Sequence, residues 1–303
     1  MQPENVLTFA DFLSPLMMVF SQQYRVFWLY LLCSGALCLL VFKRENRAIS
    51  QGFRFLYSKQ LWLNRSVWLD FKILFFNHAL WLIVFAPFFN FDGAVIGNLI
   101  YFFTTYLGPG NFIDAPEILI SVFFTVLLFI ADDFSRFFVH MLYHKVPWLW
   151  RFHAVHHSAT LLTPFTLYRV HIVEMLINTC RSILVYAGLG AIFIYLSKGK
   201  FSGLELFGAS VFSIAFNLAG ANLRHSHIWL SWGKFEKWIM SPAQHQIHHS
   251  AKPEHFDKNY GVMIGLWDYW LGSWLGSSNQ TVEKVGLGKS VKQSYWASLK
   301  GYY

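Results

Sequence analysis

Residues His140 to His157 read HMLYHKVPWLWRFHAVHH, and close to ninety residues later His245 to His249 read HQIHH. His140 and His144 are spaced i, i+4. His153, His156 and His157 are spaced i, i+3, i+4, and His245, His248 and His249 repeat that spacing. On a helix each set falls on one face. Neutral imidazole is a common ligand for iron, copper and zinc. One buried histidine is ordinarily a packed residue, but eight in three one-faced sets point to a metal site for more than one ion. Haem would use one or two axial rings, not eight.

The flanks support helices at these positions. Asp133, Phe137, His140 and His144 lie at i, i+4, i+7 and i+11 on one stripe. A carboxylate in that place either accepts a ring N–H and fixes its tautomer, or is a helix-end charge at the membrane surface. Asp132 is set to pair with Arg136 at i+4. Ser241-Pro242, directly before the last set, is a serine N-cap followed by a first-turn proline.

Outside the sets the chain is strongly apolar. Only 13% of its 303 residues are charged, against about 25% in a soluble domain. Long apolar runs make it an integral membrane protein. Residues 1–25 suggest a short amphipathic helix, with Ser14-Pro15 as its start, and Val26 to Phe42 a first span. Residues 43–72 carry seven basic side chains opposed only by Glu45 and Asp70, which the positive-inside rule places in the cytoplasm. Ile73 to Phe91 is expected to be a second span, in which the lone His78 has a hydrogen-bonded packing role. Residues 94–107 are read as a re-entrant or interfacial segment, with Tyr101, Phe102, Phe103 and Tyr106 at the bilayer interface, and Glu117 to Ala131 as a span. Met175 to Leu196 and Leu204 to Ala221 are expected to form a hairpin about the turn 197–200. Two spans between the second and third sets would return the chain to one membrane side, so all three can meet on the cytoplasmic face.

The net charge of +8 sits in loops beside apolar segments, a membrane-surface pattern rather than one for nucleic acid. Cys33, Cys38 and Cys180 lie in apolar segments and form no CxxC, which argues against a disulfide framework or a cysteine zinc site. No secretory signal pattern opens the chain. No ER retrieval signal closes it, so a bacterial inner membrane is preferred to the ER.

The spacing HxxxH, HxxHH and HxxHH resembles the fatty acid hydroxylase/sterol desaturase superfamily of membrane di-iron oxygenases. The likeness extends beyond the sets, from Asp133 through Pro147-Trp148-Leu149-Trp150 to Ser158. Arg169-Val170-His171-Ile172-Val173-Glu174 is similar to the family's RxHPxE, with isoleucine for proline. Arg224-His225-Ser226-His227 is similar to its HxN element, with His227 in place of asparagine. Asn259-Tyr260-Gly261, Trp267-Asp268 and Leu271-Gly272-Ser273 resemble its C-terminal NYG…WD…FGT run.

The resemblance implies an all-α membrane protein, a helical transmembrane stem with a cytoplasmic cap of histidine-bearing helices, and two iron ions held by His140, His144, His153, His156, His157, His225, His245, His248 and His249, with His171 and His227 as further candidates. Asp133, Arg169, Glu174 and Asn222 are expected to brace these ligands. Arg169 and Glu174 would form either a buried pair under the metals or a plain helix-start salt bridge. His255 is read as a surface residue, and Trp267 and Asp268 as packing a C-terminal lid against the cap. Three regions follow: a membrane-embedded region with a basic cytoplasmic loop over 1–115, a catalytic domain over 116–275, and a tail over 276–303.

The implied activity is O₂-dependent hydroxylation or desaturation of a membrane lipid such as a sterol or fatty acyl chain. Zinc can replace iron on purification, because it binds such sites more tightly. No CxxCH, glycine-rich dinucleotide fingerprint or HPGG segment occurs, so no haem, flavin or nicotinamide site is expected, and electrons must come from a separate donor protein. Lys234, Lys237 and Lys252 are candidates for its docking face. A zinc membrane hydrolase is the alternative, although HExxH is absent and no glutamate lies within the sets to act as base. A metal transporter is a third reading, opposed by sets that follow interfacial rather than mid-membrane sequence.

Overall fold

The computed structural model describes residues 7–48, 50–51, 54, 58–86, 92–110, 112–203, 205–206 and 209–301. The N-terminal part holds α1 (Phe9–Met17), α2 (Trp28–Arg44), α3 (Arg65–Leu80) and α4 (Asp92–Leu107). Then come α5 (Glu117–Lys145), α6 (Pro147–His157), α7 (Ile172–Ser197) and α8 (Val211–Leu218). Three short helices, α9 (Pro242–His248), α10 (Leu266–Leu271) and α11 (Tyr295–Lys300), complete the cap. Among the described residues, three helices are long and apolar enough to cross a membrane: Arg65–Phe85, Glu117–Lys145 and Ile172–Ser197. The first includes a π-helical turn, Trp81–Phe85, continuing α3.

Proline makes the corner that brings the first two histidine sets together. Val146 is extended (φ −100°, ψ 112°), the conformation that a following proline favours, so α5 stops there. Pro147 then opens α6 in its first turn, where its missing N–H costs nothing. The stem is held by packing of α4 and α5 on α7. Ile120 and Phe124 of α5 close on Phe193 of α7. Ala187, Gly190 and Ala191 are buried on α7; small residues let helix backbones approach closely, the main source of helix association in lipid. Asp132 links the same helices, accepting from Arg181 at 2.7 Å and from Arg136 at 2.7 Å.

Several expectations are corrected. The described residues between 205 and 221 do not form a helix of spanning length. A two-residue strand, β1 (Glu205–Leu206), pairs antiparallel with β2 (Ala209–Ser210). The eight-residue α8 follows and ends before Gly220, whose φ of 92° is left-handed and stops it. The return toward the cap after α7 therefore runs through a strand pair and a short helix, and the span count between the second and third sets does not hold. The first helix starts at Thr8, whose hydroxyl and amide both meet Asp11, and Pro15 lies inside it. The apolar segment from Val26 gives α2, 17 residues long and about 26 Å, short of a hydrocarbon core of about 30 Å. The second spanning helix begins at Arg65, eight residues before Ile73, and its expected end at 87–91 lies outside the described residues. His78 Nε2 lies 2.8 Å from both Ser14 Oγ and the Asp11 carbonyl, so α1 docks on α3 through it.

Candidate metal centre

Three pieces of backbone carry the imidazoles to one place: the α5–α6 corner, a 3₁₀ turn at Ala221–His225, and α9. α9 is built as its sequence dictates. Ser241 Oγ accepts from Gln244 N at 3.1 Å and Gln244 Oε1 accepts from Ser241 N at 3.1 Å, with Pro242 in the first turn. That reciprocal cap fixes where His245, His248 and His249 point.

The rings fall into two groups whose nitrogens lie within 4.8 Å of one another. His140, His144, His153, His157 and His248 form one, and His156, His225, His245 and His249 the other. The second and third sets are each split between the groups, so neither pocket can form without the other. The remaining four histidines lie elsewhere. His171 caps α7, its Nδ1 accepting from Val173 N at 3.0 Å while its Nε2 donates to the Leu299 carbonyl at 3.1 Å. His227 is exposed and lines an outer cleft with Glu45 and Gln246. His255 is not at the surface: it is 1% exposed, and its Nε2 donates to Gln280 Oε1 at 3.0 Å under the C-terminal segment.

The donor set fits two cations. His140 Nδ1 donates to the Tyr260 carbonyl at 2.7 Å, and His248 Nδ1 to the Lys258 carbonyl at 2.8 Å. His156 Nδ1 donates to the Arg169 carbonyl at 3.3 Å, and His153 Nδ1 to Glu174 Oε1 at 3.1 Å. A neutral ring that donates through Nδ1 presents a bare lone pair at Nε2. Yet the Nε2 atoms of His140 and His153 lie 3.1 Å apart. Two lone pairs repel at that distance unless a cation sits between them. Adjacent nitrogens about 2.1 Å from one metal ion would be about 3.0–3.4 Å apart. The Nε2 atoms of His144, His157 and His248 are buried with no hydrogen-bond partner, a costly state that a metal ion would relieve. In the second group His245 Nε2 lies 3.0 Å from His225 Nε2 and 3.2 Å from His249 Nε2. His245 differs in one respect: Arg224 Nη2 donates to its Nδ1 at 2.9 Å, so the proton of its neutral ring is on Nε2 and must leave for that nitrogen to ligate.

Burial keeps these rings neutral. It pushes His153 and His156 down to about 3. Burial, and then the neighbouring rings or Arg224, hold His157, His225, His245, His248 and His249 well below the usual imidazole value.

The bracing residues act one step further out than the spacing suggests. Asp133 touches no ring. It accepts from Met263 N, Ile264 N and Trp267 Nε1 at 3.0, 3.1 and 2.9 Å, because seven residues of helix put it about 10 Å from His140 along the axis. Asp268 accepts from Tyr260 N, Gly261 N and Ser273 Oγ at 2.8, 2.7 and 2.6 Å. The two aspartates thus shape the loop whose carbonyls orient His140 and His248. Arg169 and Glu174 do not pair with each other: Arg169 pairs with Asp70 at 3.0 Å, and Glu174 meets His153. Asn222 donates to the Arg25 carbonyl at 2.6 Å and ties the N-terminal segment to the turn carrying His225. Sequence reasoning missed the carbonyls of Lys258 and Tyr260, which have no side-chain signature, and Arg224 and Asp70, which had one. Asp70 is an acid in an otherwise basic stretch.

Residues 125–273, just under half of the chain, match the fatty acid hydroxylase family. Among its curated relatives, ornithine lipid hydroxylase OlsE of Rhizobium tropici is 27% identical over 177 residues, 58% of this chain and 49% of the relative. Alkylglycerol monooxygenase of Danio rerio is 26% identical over 158 residues, 52% of this chain and 31% of the relative. Human cholesterol 25-hydroxylase is 29% identical over 162 residues, 53% of this chain and 54% of the relative. The matched stretch therefore spans about half or less of these proteins. No solved structure matches the chain.

Proposed function

We propose that this protein is an O₂-dependent oxidoreductase that hydroxylates a C–H bond of a membrane lipid. The observation that carries the reading is the pair of buried imidazole groups, five rings and four, at the end of a membrane helix. Relatives that are lipid hydroxylases and monooxygenases favour hydroxylation over desaturation. His140, His144, His153, His157 and His248 would hold one iron ion and His156, His225, His245 and His249 the other; bound there, the two ions would supply the O₂ activation that an unreactive C–H bond requires. Imidazole is suited to that oxidising task, since a thiolate would itself be oxidised.

The chain's own residues bind and orient. Carbonyls of Lys258, Tyr260 and Arg169 and the Glu174 carboxylate hold ring N–H groups, so that Nε2 faces inward. The loop pinned by Asp133 and Asp268 covers the site, with Trp267 packed edge-on against Phe134 at 5.2 Å. Hydroxylation consumes one O₂, two electrons and two protons per lipid, puts one oxygen atom into the C–H bond and releases the other as water, so a separate donor protein must dock. Exposed Lys234, Lys237 and Lys252 on the cap are suited to an acidic partner. The basic stretch at 43–72 supports a cytoplasmic cap.

The test is metal analysis joined to lipid mass spectrometry. Wild-type protein is expected to carry two ions and to add one oxygen atom to a lipid in an O₂-dependent manner. His156→Ala and His248→Ala should each lose metal and activity. Full metal and activity in both variants, or turnover without O₂, would sink the proposal.

A further inference from the structure

Beside the metal groups the stem contains a polar cavity of about 410 Å³, a volume within the range of lipid and cofactor pockets. Thr125, Asp132 and Asp133 of α5, Tyr186 of α7, and Ser213 and Asn217 of α8 line it. Along α5, Thr125 and Asp133 lie about 22 and 10 Å from His140, toward the stem, at 1.5 Å per residue. Asp133 and His140 are seven residues apart, so they differ by only about 20° around the helix. The cavity is therefore an axial neighbour of the metal groups. Met263, whose amide is held by Asp133, forms part of its wall.

Polar walls in a membrane stem are costly unless something polar meets them. The charges here are already matched. Asp132 is paired with Arg136 and Arg181, and Asp133 is filled by three N–H donors. One atom is unmatched: Asn217 is 5% exposed and its side chain meets Tyr30, but its Oδ1 is buried without a hydrogen-bond partner. An amide oxygen in that state calls for a donor. The two charged wall residues, Asp132 and Asp133, are both already engaged, so the donor that Asn217 Oδ1 lacks need carry no charge.

We propose that this cavity binds the polar end of the substrate, and that the substrate is an amphiphile with an uncharged hydroxyl or amide donor about 10–22 Å from the carbon that reacts. Asn217 accepts from that donor, and the apolar remainder runs along α5 toward His140. The lipid thus enters tail-first, and its hydroxyl end sets which carbon reaches the metals. This rests on the oxidase reading above only for the identity of the reacting end.

The experiment is photolabelling of the purified full chain with palmityl alcohol carrying a diazirine on its terminal carbons, against the same hydrocarbon without the hydroxyl. The alcohol should label peptides containing His140–His157 and His245–Tyr260. Asn217→Leu should weaken that labelling about five-fold, the effect of one hydrogen bond of roughly 1 kcal/mol, and leave labelling by the hydrocarbon unchanged. Ser213→Leu fills the cavity one turn before Asn217 on the same face of α8 and should do the same, which keeps the test intact if one variant fails to fold. An unchanged melting temperature and metal stoichiometry mark a folded variant. Equal labelling by the alcohol in wild type and both variants, or labelling that ignores the hydroxyl, overturns the proposal and leaves the cavity to water. Wild-type protein that labels as described but holds no metal would refute the oxidase reading while keeping the cavity assignment.

Discussion

Arg169 and Asp70 form an ion pair at 3.0 Å with both side chains fully buried, tying the segment after the second histidine set to α3. The same guanidinium donates to Ser66 Oγ, Ser158 Oγ, Gln293 Oε1 and the Val155 carbonyl, while the Arg169 carbonyl receives His156 Nδ1–H. One residue therefore joins the N-terminal region, α6, the C-terminal segment and a candidate ligand. A buried pair is weak evidence of net stability, but breaking one strands a charge. Asp70→Asn is expected to cost about 3–5 kcal/mol. Arg169→Lys should not rescue the Arg169 contacts, because an ammonium cannot reproduce a planar fork. Thermal melting in detergent checks both; wild-type midpoints would refute the assignment.

Glu174→Gln tests the support of a single ring. Glu174 Oε1 receives His153 Nδ1–H at 3.1 Å, so a neutral amide in its place weakens the hold on the tautomer. Loss of such a partner ordinarily lowers metal affinity about 10–100-fold. Competition with a chelator of known affinity measures it, and an unchanged competition curve would count against the role.

The pH dependence has a defined sign. His153 and His156 are held at about 3 when folded, against about 6.5 in an unfolded chain. Below 6.5 the unfolded state binds more protons. Stability is thus fully present above 6.5 and falls by about 1.4 kcal/mol per pH unit for each such ring as pH drops toward 3. Metal-free protein melted at a series of pH values should show the decline, and metal-loaded protein should resist it to lower pH. A flat metal-free profile below 6.5 contradicts the burial of neutral rings.

Asp268→Ala should free the loop it grips. Three donors lose their acceptor, each such charge-assisted bond being worth about 1.5–3 kcal/mol. Hydrogen exchange at residues 258–264 should accelerate, and the five-ring group, which takes carbonyls from that loop, should lose metal before the four-ring group does. Equal loss from both groups would show that the loop does not act on His140 and His248 selectively.

Much of this architecture is legible locally. Pro147 and Ser241-Pro242 mark where α6 and α9 begin, and histidine spacing puts the rings on common faces, because both signals act within one helical turn. The strand pair at 205–210 was not legible, since an apolar run does not distinguish a spanning helix from a broken path stopped at Gly220. Asp133 misled for a related reason. A helical stripe gives direction around the axis but not reach along it, and its partners lie about 130 residues away at Met263 and Trp267. His255 sits among charged neighbours in sequence, yet a fold-back of the chain to Gln280 covers it.

Main-chain oxygens, not side chains, orient His140, His248 and His156. Composition at those positions is consequently decoupled from the geometry of the centre: Lys258 can be exchanged for almost any residue that follows the same backbone path. A single-residue insertion or deletion between Asp257 and Gly261 has no such tolerance. It would shift the oxygens off register with the rings, and the gap length there is a stricter signature of the site than any residue within it.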